Sequence, residues 1–192
     1  MTDFPSSCGV MFLPGVTLFP QTQLPLRIFE MRYRRMLEAA LGNSRMFAVA
    51  MDSPEESAES SGPVVGLGLI KSSLQQPDGT SLLVLEGVGR VRLLNCIHET
   101  PYPRYAINRV ATVDDIDEPE ATIREQLIGL CSVKISEEEG QLLTVLNEIG
   151  QFEALLDHLG AHFIPSPKDR NILMETVSLK ERAEFLMRLL GS

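Results

Sequence analysis

Pro77-Asp78-Gly79-Thr80, followed by Leu83-Val84-Leu85-Glu86-Gly87-Val88-Gly89-Arg90-Val91, decides how this chain is read. A turn peptide stands between two runs of strand-forming residues, Val64 to Leu74 and Ser81 to Leu94. Gly and Asp tolerate the positive φ that hairpin turns demand, and Pro77 presets the approach. The stretch therefore predicts a β-hairpin with Asp78-Gly79 at its tip. Working outward, Val10 to Val113 consists of short blocks of Val, Ile, Leu, Gly and Pro separated by turn residues, the pattern of an all-β barrel or folded sheet. Met46-Phe47-Ala48-Val49-Ala50-Met51 is apolar throughout and reads as a strand buried on both faces. Gly66 and Gly68 in the strand that follows suggest a bulge or bend where the sheet curls.

One helix interrupts the strands. From Glu30 to Leu41, Met31, Tyr33, Met36, Leu37, Ala40 and Leu41 recur at helical spacing, and Gly42-Asn43 supplies a stop. Glu30 with Arg34, and Arg34 with Glu38, are opposite charges four apart. Arg27, Arg32, Arg34 and Arg35 gather around Phe29 and Tyr33. Two readings stay open: a cationic and aromatic contact patch, or core aromatics whose arginines pair with Glu30 and Glu38.

At Asp114-Asp115-Ile116-Asp117-Glu118-Pro119-Glu120 the pattern changes, and every later segment is helical. This places a β domain at 1–117 and a helical domain at 118–192. The first carries 10 basic and 13 acidic side chains and the second 7 and 13, so the helical part is the more acidic. Helices are expected over Glu118–Val133, Gly140–Asn147, Gln151–Ala161, Pro167–Glu175 and Leu179–Leu190. Ser166-Pro167 is an N-cap with proline in the first turn, and Ser178-Leu179-Lys180-Glu181 is a capping box. Leu179, Ala183, Leu186, Met187 and Leu190 then share one face.

Composition narrows the function classes. A chain of 192 residues with 44% hydrophobic and 22% charged residues is an ordinary globular protein, and only Asp52 to Gly62, rich in Ser, Glu and Pro, reads as a mobile loop. No apolar run approaches the roughly 20 residues that span a bilayer, and Met1 to Pro5 lacks the basic start of a signal peptide, so no membrane association and a cytoplasmic location are expected. Cys8, Cys96 and Cys131 are widely spaced and suggest neither disulfides nor a zinc site. A net charge of -9 argues against general affinity for nucleic acid.

Motifs for chemistry are absent. A phosphate-binding P-loop needs Gly-Lys-Ser/Thr, and none of Lys71, Lys134, Lys168 and Lys180 follows a glycine. Gly87-Val88-Gly89 lacks the third glycine and the helix start of a dinucleotide fingerprint. His158 and His162 stand four apart, but Leu159 occupies the position where a zincin carries Glu. Cys96-Ile97-His98 is read as a casual neighbour pair. Asp114 to Glu120 lacks the Gly turn and closing Glu of a calcium loop and reads as a solvated linker. Ser136 to Glu139 reads as a charged helix start. No cofactor, metal or catalytic residue is expected.

Phe12-Leu13-Pro14-Gly15, Leu18-Phe19-Pro20, Leu24-Pro25-Leu26-Arg27-Ile28-Phe29-Glu30 and Arg32-Tyr33-Arg34, together with the hairpin and with Leu173-Met174-Glu175 and Leu179-Lys180-Glu181-Arg182-Ala183-Glu184, carry a further reading. In their order and spacing, from about Val10 to the carboxyl terminus, the chain resembles the amino-terminal substrate-recognition domain of ATP-dependent Lon proteases, including free-standing proteins of that domain. The resemblance implies an α+β fold: a PUA-like β-barrel with one inserted helix, followed by a C-terminal α-helical bundle. It also implies a non-catalytic module that recognises unfolded or tagged polypeptides, an adaptor in protein quality control working with a protease or chaperone. Phe19, Leu24, Arg27, Phe29, Arg32 and Tyr33 are its candidate contact surface. The alternatives are an RNA-binding PUA-like module, and a small-ligand-binding protein or enzyme with a site at the barrel–bundle junction. Clients and oligomeric state stay open.

Overall fold

The computed structural model describes residues 3–52, 62–134 and 140–191. Two compact units make up the chain, Met1–Val110 and Ala111–Ser192. The first holds a mixed six-stranded sheet and one helix, and the second holds five helices, counted among the described residues.

In the first unit the order of elements is β1 (Ser7–Phe12), β2 (Gln23–Ile28), α1 (Met31–Leu41), β3 (Met46–Ala50), β4 (Val64–Gln75), β5 (Ser81–His98) and β6 (Arg104–Val110). Across the sheet they run β2-β5-β4-β3-β1-β6, and β6 pairs again with β5. Among the described strand pairs of this sheet only β1–β3 is parallel. At 18 residues β5 is long enough for its first half to pair with β2 and its second with β6.

Residues on β3 alternate between two apolar clusters. Phe47 and Val49 join Met11, Tyr33, Met36, Leu37, Ile70 and Leu85 on the side where α1 lies. Met46, Ala48 and Ala50 join Val10, Leu67, Val91, Leu93 and Ile107 on the other. Period-two geometry thus buries every residue of β3, which explains why its sequence shows no alternation.

The expected hairpin forms, with a tighter division of labour at its tip. Gly79 alone takes a positive φ, +77°. Asp78 instead accepts hydrogen bonds from the Thr80 amide (2.9 Å) and hydroxyl (2.7 Å). Register shifts fall between Leu67 and Gly68 and between Ile70 and Ser72. At Gly66 and Gly87 the Leu18–Phe19 main chain crosses close above the sheet, and a Cβ at either glycine would collide with a carbonyl of that segment. Close approach of a second backbone is the stronger reason for these glycines.

α1 departs from its expected charge pairing. Arg32 bonds Glu30 at 2.9 Å, while Arg34 turns to the hairpin and lies against Gly79. Tyr33, Met36, Leu37 and Ala40 form its buried face, leaving Met31 and Leu41 outside.

In the second unit the helices are α2 (Glu120–Ser132), α3 (Gly140–Glu148), α4 (Phe152–Phe163), α5 (Pro167–Glu175) and α6 (Leu179–Leu190). Ser166 caps α5 through the Asp169 amide, and Ser178 caps α6 through the Glu181 amide. Of the expected face of α6, Leu179, Ala183, Leu186 and Leu190 are buried and Met187 is half-buried. Arg182 is buried with them. Its Nη1 donates to Asp157 on α4 (3.2 Å), and its Nη2 donates to Thr112 (3.0 Å) and Glu153 (3.3 Å). Thr112 in turn donates to Glu153.

The acidic segment read as a solvated linker is tied down. Val113 bridges Ser178 in parallel, Asp115 accepts from the Ser178 hydroxyl and the Lys180 amide, and Asp117 pairs with Lys180 at 2.6 Å. Those bonds, the Ser178 hydroxyl first for Asp115 and Lys180 for Asp117, hold both carboxyls below the usual range. Most of the loop expected from Asp52 to Gly62, namely residues 53–61, and the charged helix start at 136–139 lie outside the described residues.

Candidate functional site

Strand alternation builds an apolar surface on the hairpin. Leu83 and Leu85 point into the core, so Leu82 and Val84 point out. Their cross-strand partners are Arg27 and Pro25 on β2 and Leu74 and Ser72 on β4, which set Arg27, Leu82 and Leu74 in one row across three strands. Leu74 is 63% exposed and Leu82 47%. A shallow depression of about 510 Å³ covers this face. Neighbouring large apolar side chains left in water are the informative exception to burial, because single ones are common and clustered ones mark interaction surfaces.

On the side nearer α1 lies a second concavity, about 460 Å³, walled by Met31, Arg34, Arg35 and Leu41 of the helix and by Ser73 and Gln75 of β4. Arg27 reaches Asp78 at 3.6 Å. The Thr80 hydroxyl and amide, then Arg27 and Arg34, hold the Asp78 carboxyl below its ordinary range.

The six expected contact residues separate into three groups. Phe19 and Tyr33 are interior, and the Tyr33 hydroxyl bonds the Phe12 amide at 3.1 Å. Leu24 is half-buried and packs on the core from the inward face of β2. Arg27, Phe29 and Arg32 are on the surface, with Phe29 64% exposed. Arg32 lies over the Tyr33 ring, 4.5 Å from its centroid, and so covers it. Sequence reasoning passed over Leu74 and Leu82. Their signal was the alternation itself: once Leu83 and Leu85 face the core, Leu82 must face away.

Other candidate chemistries are weakly built. His158 Nδ1 lies 3.0 Å from the Ala154 carbonyl, and its ring centroid is 6.0 Å from that of His162. Burial, then the neighbouring His158, lowers the His162 pKa. No group of three metal-ligating side chains occurs among the described residues. His98 Nδ1 lies 3.1 Å from the Tyr102 carbonyl. Burial pushes the Cys8 thiol up to about 12 and the Cys131 thiol to about 11, while Cys96 is exposed. Buried thiols with raised pKa are poor nucleophiles.

The chain is thus an α+β protein with a mixed sheet, an inserted helix and an apolar hairpin face left in water. Residues 8–192 match the family model described as the ATP-dependent protease La (LON) substrate-binding domain, and the chain belongs to that family. It is 24% identical over 190 residues to the Lon protease of Buchnera aphidicola subsp. Acyrthosiphon pisum, covering 95% of this chain and 24% of that protein. Against the Lon protease of Escherichia coli K12 it is 26% identical over 197 residues, covering 95% and 24%. The chain spans about a quarter of the length of these relatives.

Among solved structures, the N-terminal domain of the Mycobacterium avium complex Lon protease superposes with a TM-score of 0.77 at 19% identity, covering 97% of this chain and 98% of that one. The Lon N-terminal domain protein from Xanthomonas campestris gives a TM-score of 0.65 at 19% identity, covering 96% and 98%. Both show the shared fold.

Proposed function

We propose that this chain is a non-catalytic polypeptide-recognition module, with its contact surface on the β4–β5 hairpin and the adjoining parts of β2 and α1. The circuit of pairings from β5 through β4, β3, β1 and β6 back to β5 is read as a PUA-like barrel, and the five helices as a bundle following it. The observation that carries the function is the outward row of Leu74 and Leu82 beside Arg27, together with exposed Phe29 and Met31, in a chain of the substrate-binding family. Unfolded polypeptide exposes apolar side chains that a folded protein hides, so an apolar surface with a cationic rim discriminates one from the other. In this reading the module works in the cytoplasm as an adaptor in protein quality control, delivering clients to a protease or chaperone.

Binding of a carboxymethylated, permanently unfolded polypeptide, measured by fluorescence anisotropy, tests the reading. The double change Leu74→Ser with Leu82→Ser should weaken binding about thirtyfold or more, since truncated apolar anchors cost about 1–2 kcal/mol each. Absence of binding above background overturns the proposal. So does preferential capture of RNA with a steep salt dependence, the signature of phosphate contacts.

A further inference from the structure

β3 is shorter than the strand it pairs with. It meets β4 only from Gly66 to Leu69, whereas β4 stays paired with β5 as far as Gln75. The last tie on the β3 side is Arg45, whose carbonyl accepts from the Ile70 amide (2.8 Å) and whose Nη2 donates to the Ile70 carbonyl (3.1 Å). Beyond it, Lys71–Gln75 have β5 on one side and, among the described residues, no strand on the other. All five are exposed.

Edges of this kind are usually blunted by proline or by charge. The opposite edge, β2, follows that rule with Pro25 and Arg27. Lys71-Ser72-Ser73-Leu74-Gln75 does not. It contains no proline, and its one charge, Lys71, is occupied by Glu86 at 2.7 Å. Ser73 and Gln75 line the groove whose other wall is α1, so an added strand would lie between the β4 edge and the helix.

The groove also selects chemistry. Met31 and Leu41 give the helix wall apolar ends, and Arg34 and Arg35 outnumber Glu38 there. Arg34 is engaged at the hairpin tip, while Arg35 is exposed and makes no ion pair among the described residues. A locally cationic groove on a chain of net charge -9 attracts an acidic occupant to one place and repels it elsewhere.

We infer that Lys71–Gln75 is a docking edge, at which an extended polypeptide segment adds to β4 as a further strand, apolar at alternate positions and carrying an acidic side chain opposite Arg35. The inference rests on the polypeptide-recognition reading and gives it a geometry: main-chain hydrogen bonds supply affinity independent of sequence, and the alternate side chains meet the groove. An edge of this length, about 17 Å at the usual strand rise, holds some five residues.

The test uses the full chain and a fluorescein-labelled ten-residue peptide of alternating Val and Thr with glutamates at two central positions. Two further versions carry backbone N-methyl groups on one alternate set of residues or on the other. Strand addition uses one set of amides only. One methylated version should therefore bind at least about tenfold more weakly while the other stays within about twofold. Amide exchange at Lys71–Gln75 should slow when the unmethylated peptide binds. Arg35→Glu, checked for folding by circular dichroism, should weaken the peptide about fivefold and favour a version with lysines in place of the glutamates.

Equal binding of both methylated versions, or slowed exchange away from β4, overturns the docking edge while retained binding of the parent peptide leaves the recognition reading standing. Failure of every peptide and of unfolded protein alike overturns both. A concentration-dependent dimer that protects the same amides and is not displaced by peptide assigns the edge to a second copy and overturns the inference.

Discussion

The two units break opposite rules. Met1–Val110 has two apolar clusters in its interior, with Arg90 buried as well, and leaves large apolar side chains in water on its hairpin. Ala111–Ser192 buries a charged pair, Arg182 and Asp157, each 1% exposed. Its exposed large apolar residues Val113, Val133, Val145 and Ile172 belong to separate segments. An anomaly on the surface is available to a partner, and an anomaly in the interior can act only on its own fold. The sheet unit is therefore where recognition is sought, and the buried Arg182–Asp157 pair, set among apolar side chains, concerns the helical unit's own fold.

Removing Arg182 tests the contrast most severely. Arg182→Met leaves Asp157 buried without its cation and should destabilise the helical unit by about 3–5 kcal/mol. Hydrogen exchange should accelerate across α4 and α6 while β3 and β5 keep their protection. Equal loss in the sheet would break the comparison. Its counterpart is Leu85→Ala, a cavity in the apolar cluster, expected to cost about 2–5 kcal/mol with the loss confined to the sheet unit.

Ser178→Ala should cost about 1 kcal/mol as a lost N-cap, seen as a lower melting temperature, and it also releases Asp115. A smaller effect follows from pH. Asp115 and Asp117 are held below the usual carboxyl range, so the stability they contribute is complete above the unfolded-state pKa and is lost as pH falls through the folded one. Melting temperatures measured from pH 7 downward should decline less steeply in Asp115→Ala than in the parent chain. The smallest effect is on stability at the hairpin face: Leu74→Ser and Leu82→Ser should each change the unfolding free energy by no more than about 0.5 kcal/mol while polypeptide binding falls.

Most of the element order was legible because its signals are local. Pro77 and Gly79 mark the turn, Gly42 stops α1, and Ser166 and Ser178 start α5 and α6. What escaped was non-local. Arg182 and Asp157 lie 25 residues apart on different helices, and an arginine within an exposed-looking Lys-Glu-Arg run carries no mark of burial. Phe29 and Tyr33 look alike in sequence, yet only Tyr33 falls on the inward phase of α1, because the helix begins after Phe29. The free edge of β4 depends on where β3 stops pairing, a register that composition does not encode.

Gly79 rests against the guanidinium of Arg34, so hairpin tip and helix are spaced there by one planar side chain. A caliper set in this way has an adjustable jaw. Rotation about the torsions of Arg34 changes that clearance without disturbing a strand pairing, at the energetic scale of a rotamer change. A side chain at 79 would have to push that guanidinium aside and adopt a positive φ that glycine holds without strain.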